Sequence, residues 1–234
     1  MQKEIAKKVI EYDCITSKTN NICGVDVAYK NNIAFCSALV VNKKTLEIVE
    51  SINYKNIVNH PYIPSLLILR ESESIINILK LIKSPFDVLL IDAHGLLHPR
   101  RCGMACYVGV MIDKPTIGVA KNLLCGHILK DNYIEYNGEI LGYRFKKTNK
   151  KEIYVSIGHK ISLATATNIV INLIKDNERL PEPLRLADIN SKKYKSLNLS
   201  KNNYWNYNLN LTFLNDIKIQ RLNDAEIGTW LIVL

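Results

Sequence analysis

The amino-acid sequence predicts an α/β domain on a mixed central sheet, in which three antiparallel hairpin strands are followed by parallel strands and helices cover the faces. Three features predict it. Ile22 to Tyr29, Ile33 to Val41 and Leu46 to Tyr54 are β-rich runs, separated by Lys30-Asn31-Asn32 and Asn42-Lys43-Lys44, polar turns short enough for hairpins. From Ser65 onward, helical and strand-like runs alternate, the pattern of parallel crossover units. A chain of 234 residues with 47% hydrophobic content also has enough apolar surface for one substantial core.

The elements follow in order. Residues 1–20 read as an amphipathic helix and a polar turn, with Ile5, Val9 and Ile10 available for packing and Ser17-Lys18-Thr19-Asn20-Asn21 as the breaker. After the three strands, a linker ends in His60-Pro61-Tyr62-Ile63-Pro64. Ser65 to Lys83 then carries a helical pattern, with Ser65 placed to cap it. Phe86-Asp87-Val88-Leu89-Leu90-Ile91 is short, apolar and partly β-branched, which fits a buried strand delivering Asp92 to its C-terminal edge. A helix is expected from about Arg100 to Ile112, with Pro99 suited to its first position. Pro115 to Ala120 is the next strand. Residues 122–151, rich in lysine and asparagine, read as hairpins, Ile153 to Ile157 as a strand and Ser162 to Asp176 as a helix. The expected domain spans residues 1–189. Residues 190–234 form an Asn/Lys/Leu-rich extension, either a further hairpin and helix or a partly ordered tail, with no catalytic cluster.

A net charge of +9 favours an acidic partner, nucleic acid ahead of an anionic membrane, although abundant Lys, Asn and Ile are also what an AT-rich genome produces. No apolar run reaches the roughly 20 residues that span a bilayer, and Met1-Gln2-Lys3-Glu4 lacks the layout of a secretory signal. A cytoplasmic monomer with no membrane partner is expected. The six cysteines, Cys14, Cys23, Cys36, Cys102, Cys106 and Cys125, form no Cys-x-x-Cys or zinc-module spacing and read as reduced, buried small hydrophobes.

Asp92-Ala93-His94-Gly95-Leu96-Leu97-His98-Pro99-Arg100-Arg101 is the stretch that most invites chemistry. It sets a carboxylate at a strand end beside two histidines and paired arginines at an expected helix start, an arrangement suited to phosphate. Taken alone, its commoner reading is a capping aspartate and hydrogen-bonded loop histidines. Asp26 interrupts the apolar Gly24-Val25-Asp26-Val27-Ala28-Tyr29 run, and a buried carboxylate demands a cation, a metal or a hydrogen-bond network. Glu71, in isolation, is an exposed helix carboxylate. Topology changes that reading. A carboxylate on the first strand, one on the helix after the third strand and one at the end of the fourth converge in an RNase H-like sheet. Such a trio repels itself unless a divalent cation is present, and hard oxygen ligands favour Mg²⁺, with Mn²⁺ as substitute.

With these residues in view, the chain resembles the endonuclease V family, the deoxyinosine 3′ endonucleases. The resemblance rests on Gly24 to Tyr29, Pro61-Tyr62-Ile63-Pro64 with Leu69-Arg70-Glu71, and Asp92 to Arg101. It continues through Pro115 to Lys121 with Leu124-Cys125-Gly126, Val155 to His159 with Ile161-Ser162-Leu163, and Leu180 to Asp188, in the family's order. It implies an RNase H-like fold and a metal-dependent endonuclease with Asp26, Asp92 and Glu71 as essential carboxylates. Asp188 falls where the family shows an acid or a histidine near the metal. By the same resemblance, Lys121 neutralises phosphate near the scissile bond and His98 lies close to the backbone and metal. Tyr62, stiffened by Pro61 and Pro64 and flanked by Ile63, is the implied wedge at the lesion. Arg100, Arg101 and His159 are implied nucleic-acid contacts, and Ser65, Leu67, Ala93, Gly95 and Gly103 the base pocket. Two positions depart from the pattern: Ser65 and Ala93 stand where the family usually has glycine.

The implied substrate is deoxyinosine-containing DNA, cut at the second phosphodiester 3′ to the base to leave 3′-hydroxyl and 5′-phosphate ends, as in repair of deaminated adenine. An endoribonuclease for inosine-containing RNA is the rival within the same chemistry, because eukaryotic relatives prefer that substrate. A non-catalytic inosine or junction binder is the rival from another class. Concentrated negative charge near phosphate would only weaken such a binder.

Overall fold

The computed structural model describes residues 1–15, 19–58, 60, 61, 63 and 65–201, with side chains as far as residue 198, and the strand backbone of 218–221 and 230–233. The sheet grows from a meander of β1 (Asn21–Lys30), β2 (Ile33–Asn42) and β3 (Ile48–Ile57), paired antiparallel in sequence. Asn31 takes the left-handed backbone (φ 52) in the tight first turn, a conformation asparagine tolerates.

α2 (Leu67–Leu81) packs against this meander, burying Ile68, Ile75, Ile78 and Leu79 along one stripe. β4 (Val88–Ile91) is buried at every residue, lies parallel to β1, and is followed by α3 (Met104–Ile112) and the parallel β5 (Thr116–Ala120). Each large aliphatic side chain sealed in β4 contributes about 1.5–3 kcal/mol, enough to keep the strand that carries Asp92 at the centre of the sheet.

The chain then returns through short antiparallel pieces. These are β6 (His127–Ile128), β7 (Tyr133–Tyr136), β8 (Glu139–Phe145) and β9 (Ile153–His159), with β9 antiparallel to β5. α4 (Leu163–Asn172) is capped by Ser162, whose Oγ accepts from Thr165 N–H. α5 (Glu182–Lys201) crosses β1 and β2. β10 (Lys218–Arg221) and β11 (Trp230–Val233) extend the sheet beyond β3, giving the order β10-β11-β3-β2-β1-β4-β5-β9-β8-β7-β6.

Several expectations require correction. The N-terminal helix is only α1 (Gln2–Ala6), because the next residues spend their backbone groups on the far end of β9: Ile10 O accepts from Lys160 N–H and Cys14 N–H donates to Lys160 O. The proposed breaker at Ser17 and Lys18 lies outside the described residues. Ser65 does not cap α2; Leu66 occupies that place and Ser65 stands in a turn with φ 64. No helix begins at Pro99. The chain turns through Arg101 (φ 51) and α3 starts only after Gly103. α5 runs without a break through residues 189 and 190. Cys23, Cys36, Cys102 and Cys106 are buried as expected, whereas Cys125 is half-buried and Cys14 exposed. No helix among the described residues is long and apolar enough to cross a membrane.

Candidate active site

Residues from three separate elements meet where β1, β4 and β5 present one end of the sheet. Asp26 lies in β1 and Asp92 directly after β4. Asp188 lies in the second turn of α5, which docks where Gly24 gives it room: a Cβ there would come within 2.4 Å of the Pro183 backbone. One carboxylate oxygen from each aspartate lies within 4.8 Å of the others. Hard anionic oxygens at that separation fit a divalent cation.

Lys121, the residue after β5, answers part of the negative charge. Its Nζ pairs with Asp92 Oδ2 and lies 3.3 Å from Asp188 Oδ1. Burial pushes Asp92 up to about 6 although Lys121 opposes the rise. Asp26 is raised by burial, which outweighs the hydrogen bond from Ser191. Burial acts on Asp188 in the same sense, but Lys192 at 2.6 Å and Lys121 hold it below the usual carboxylate range.

Glu71 stands just behind this trio. It follows Ile68 by three residues and precedes Ile75 by four, so it falls on the stripe of α2 that faces the sheet. Burial, then the charges of Asp26 and Asp92, push it to about 8, while a hydrogen bond with Tyr29 works the other way. The sequence reading ranked Glu71 ahead of Asp188. The geometry sets Asp188 in the close trio and Glu71 in its electrostatic field.

The polar residues of the 92–103 turn serve as internal ties. The Ser65 carbonyl accepts from Arg100 Nη2 (2.7 Å), His98 Nε2 (3.1 Å) and Gln2 Nε2 (3.4 Å), so one backbone oxygen joins the N-terminus, the turn and the loop before α2. The Arg100 N–H donates to His98 Nδ1, which leaves the proton on Nε2. Burial drives His98 down to about 4, and it is neutral. Arg101 pairs with Glu11 and Glu139. His159 is buried, with Nδ1 accepting from Ile10 N–H. None of these four groups stands among the carboxylates.

Of the expected base pocket, Ser65, Leu67, Ala93, Gly95 and Gly103 lie around that same turn. Gly95 is needed for packing, since a Cβ would meet Ile157 O at 1.9 Å. Its carbonyl accepts from Gly103 N–H (2.9 Å) at the head of α3. Pro61 and Ile63 are exposed on the loop before α2. Tyr62 and Pro64, the expected wedge and its second proline, lie outside the described residues.

Sequence reading missed three supporting residues. Ser191 is fully buried and donates to Asp26 Oδ2 at 2.8 Å; Lys192 holds Asp188. Arg179 clamps the Lys121 carbonyl (2.7 Å) together with the Glu152 carbonyl (2.6 Å). The i, i+3 and i+4 spacing of Ser191 and Lys192 from Asp188 was the available signal, once a helix was drawn through 190.

The endonuclease V family model matches residues 3–189. The chain belongs to the endonuclease V family. It is 43% identical over 209 residues to the endonuclease V of Thermofilum pendens, covering 87% of this chain and 90% of that one. Identity is 42% over 212 residues to the endonuclease V of Rippkaea orientalis, covering 86% and 92%. Among solved structures, Bacillus subtilis endonuclease V superposes with a TM-score of 0.80 at 27% identity over 86% of this chain and 91% of that one. Ciona intestinalis endonuclease V, in complex with a 24mer DNA containing an inosine followed by a ribo-adenosine, gives 0.77 at 30% identity, covering 84% and 95%. The chain is accordingly an endonuclease V-type, metal-dependent nuclease acting on deoxyinosine-containing DNA, and the carboxylate trio in its RNase H-like sheet is the candidate metal-binding site.

Proposed function

We propose that this enzyme uses Mg²⁺, with Mn²⁺ as substitute, to hydrolyse the second phosphodiester 3′ to deoxyinosine in DNA. The products are a 3′-hydroxyl and a 5′-phosphate, and the role is repair of deaminated adenine by a cytoplasmic monomer. The observation that carries this reading is the convergence of Asp26, Asp92 and Asp188 beside Lys121. Asp26, Asp92 and Asp188, with Glu71 behind them, would hold a divalent ion, which would supply the charge to activate water and offset the leaving oxygen. Lys121, tied to Asp92 at the strand end, is placed to neutralise an entering phosphate. Ser191 and Lys192 hold Asp26 and Asp188 in place, and Arg179 fixes the backbone that carries Lys121. Tyr62, by the family resemblance the wedge at the lesion, precedes Ser65 by three residues, and the Ser65 carbonyl is anchored by His98 and Arg100.

The second reading is an endoribonuclease for inosine-containing RNA. It is favoured by the Ciona complex, whose inosine is followed by a ribonucleotide. Purified protein incubated with Mg²⁺ and matched duplexes carrying inosine in a DNA or an RNA strand separates the readings. A nick in the DNA strand supports the first; cleavage confined to the RNA strand replaces it with the second. Binding of both duplexes without any nick rejects catalysis.

A further inference from the structure

We infer that the lysine-rich loop between β8 and β9, residues 146–152, is a ledge that binds the phosphodiester backbone of the nucleic acid beyond the cleavage site. The inference rests on the nuclease reading above and extends it to a surface that the candidate site does not include.

Strand register places the ledge. Ala120 pairs with Tyr154 and Phe145 with Ile153, so β5 ends, β9 begins and β8 ends at one side of the sheet. Lys121 follows Ala120 there, and the 146–152 loop opens beside it. Arg179 locks the two together: Nη2 donates to the carbonyls of Lys121 and Glu152, and Nε lies 3.2 Å from those of Lys151 and Glu152. One guanidinium therefore sets the position of the catalytic lysine and of the loop together. α2, which follows the 61–65 loop, packs on β1, β2 and β3 instead. Lys121 is paired with Asp92 on one side and joined through Arg179 to the ledge on the other, so a strand held at Lys121 has the ledge beside it.

Charge identifies the partner. Four of the loop's first six residues are lysines: Lys146, Lys147, Lys150 and Lys151. Lys147 is spent on Asp176 (3.2 Å) and the Lys175 carbonyl, which pins the loop to the segment after α4. Lys146 and Lys151 are exposed and Lys150 half-buried, and among the described residues none of the three enters an ion pair. Nearby acids are already engaged: Glu152 accepts from Tyr154 Oη, Asp176 pairs with Lys147, and Glu178 lies 3.7 Å from Arg185. Arg100, which the sequence offered as a phosphate ligand, is tied to the Ser65 carbonyl, and Arg101, the other, is paired at the surface with Glu11 and Glu139. The ledge provides the uncommitted charge next to the site that a polyanion needs.

The test compares the full chain with Lys146→Gln/Lys150→Gln/Lys151→Gln and with the matching triple arginine variant. Binding to a duplex containing one deoxyinosine is measured under EDTA across a salt series, so that no cleavage intervenes. The glutamine variant should bind roughly five-fold or more weakly at 0.1 M salt, and its slope of log affinity against log salt should shrink by about 0.9 for each lost phosphate contact. The loss should fall equally on inosine and adenine duplexes, and arginine should restore both affinity and slope. Unchanged affinity and slope overturn the ledge, and so does a weaker affinity with an unchanged slope. A wild-type protein that nicks the inosine duplex while the glutamine variant binds normally rejects the ledge alone. A wild-type protein that nicks neither inosine-containing strand while the slope still falls rejects the nuclease reading alone.

Discussion

At the scale of single residues, the site depends on carboxylates held at unfavourable proximity. Asp92→Asn or Asp26→Asn removes charge while keeping volume, so nicking should fall to background with the melting temperature nearly unchanged. Full activity of either variant at saturating Mg²⁺ would contradict the metal-site assignment. Ser191 acts one step back, through its bond to Asp26. Ser191→Ala should raise the Mg²⁺ concentration needed for half-maximal nicking roughly 10- to 100-fold, and Ser191→Thr, which keeps the hydroxyl, should recover part of that loss. His98 gives a pH signature of its own. Folded, it accepts a proton only near pH 4, against about 6.5 when unfolded, so the unfolded chain binds more protons between those values. Its stabilising contribution is therefore complete above pH 6.5 and declines towards pH 4, by on the order of 2–3 kcal/mol. Denaturation of wild type and His98→Gln at pH 7 and pH 4.5 should show the two stabilities converging at the lower pH.

At the scale of elements, the strands and the hairpin turns between them were legible in the sequence, whereas the turn at Pro99 was not. β1, β2, β3 and β4 declare themselves by apolar runs between polar turns, and the near-continuous burial of β2 and β4 leaves their register little freedom. Asp26 and Asp92 were legible for the same reason, since each is a carboxylate placed by a strand. The Pro99 turn was misread because its local signals, proline followed by basic residues, match a helix start. What prevents a helix there is a distant partner: the Ser65 carbonyl draws His98 and Arg100 into one cluster. Ser65 accepts the left-handed conformation as part of this arrangement, at a cost on the order of 1–3 kcal/mol. Ser65→Gly should relieve that strain but lose the hydrogen bond that Ser65 Oγ accepts from Arg100 Nη2 at 2.8 Å, so the melting temperature should stay within a few degrees of the parent's. Arg100→Ala should loosen the loop before α2 and lower the ratio of inosine to adenine nicking on duplex DNA, with the Mg²⁺ requirement unchanged.

At the scale of the whole molecule, α5 joins regions that composition appeared to separate. The shift to Asn, Leu and Lys after residue 189 reads as a boundary, yet Tyr194 packs edge-on against Phe35 at 5.7 Å and Ser191 reaches the site. Composition reports which residues are present, whereas this contact depends on which face of a helix meets the sheet. A chain ending at residue 201 should fold and nick; one ending at 189 should lose metal affinity and stability together. Circular dichroism melts alongside nicking assays distinguish the two.

Because Lys121 already sits among the aspartates, the protein carries its own removable counter-ion. Chelation should therefore abolish nicking without unfolding the chain, and the stripped enzyme should regain activity on simple addition of Mg²⁺, with no refolding step. Replacing Lys121 with methionine would turn a dispensable ion into a structural one. The melting temperature of that variant, insensitive to EDTA in the parent, should then fall when EDTA is added.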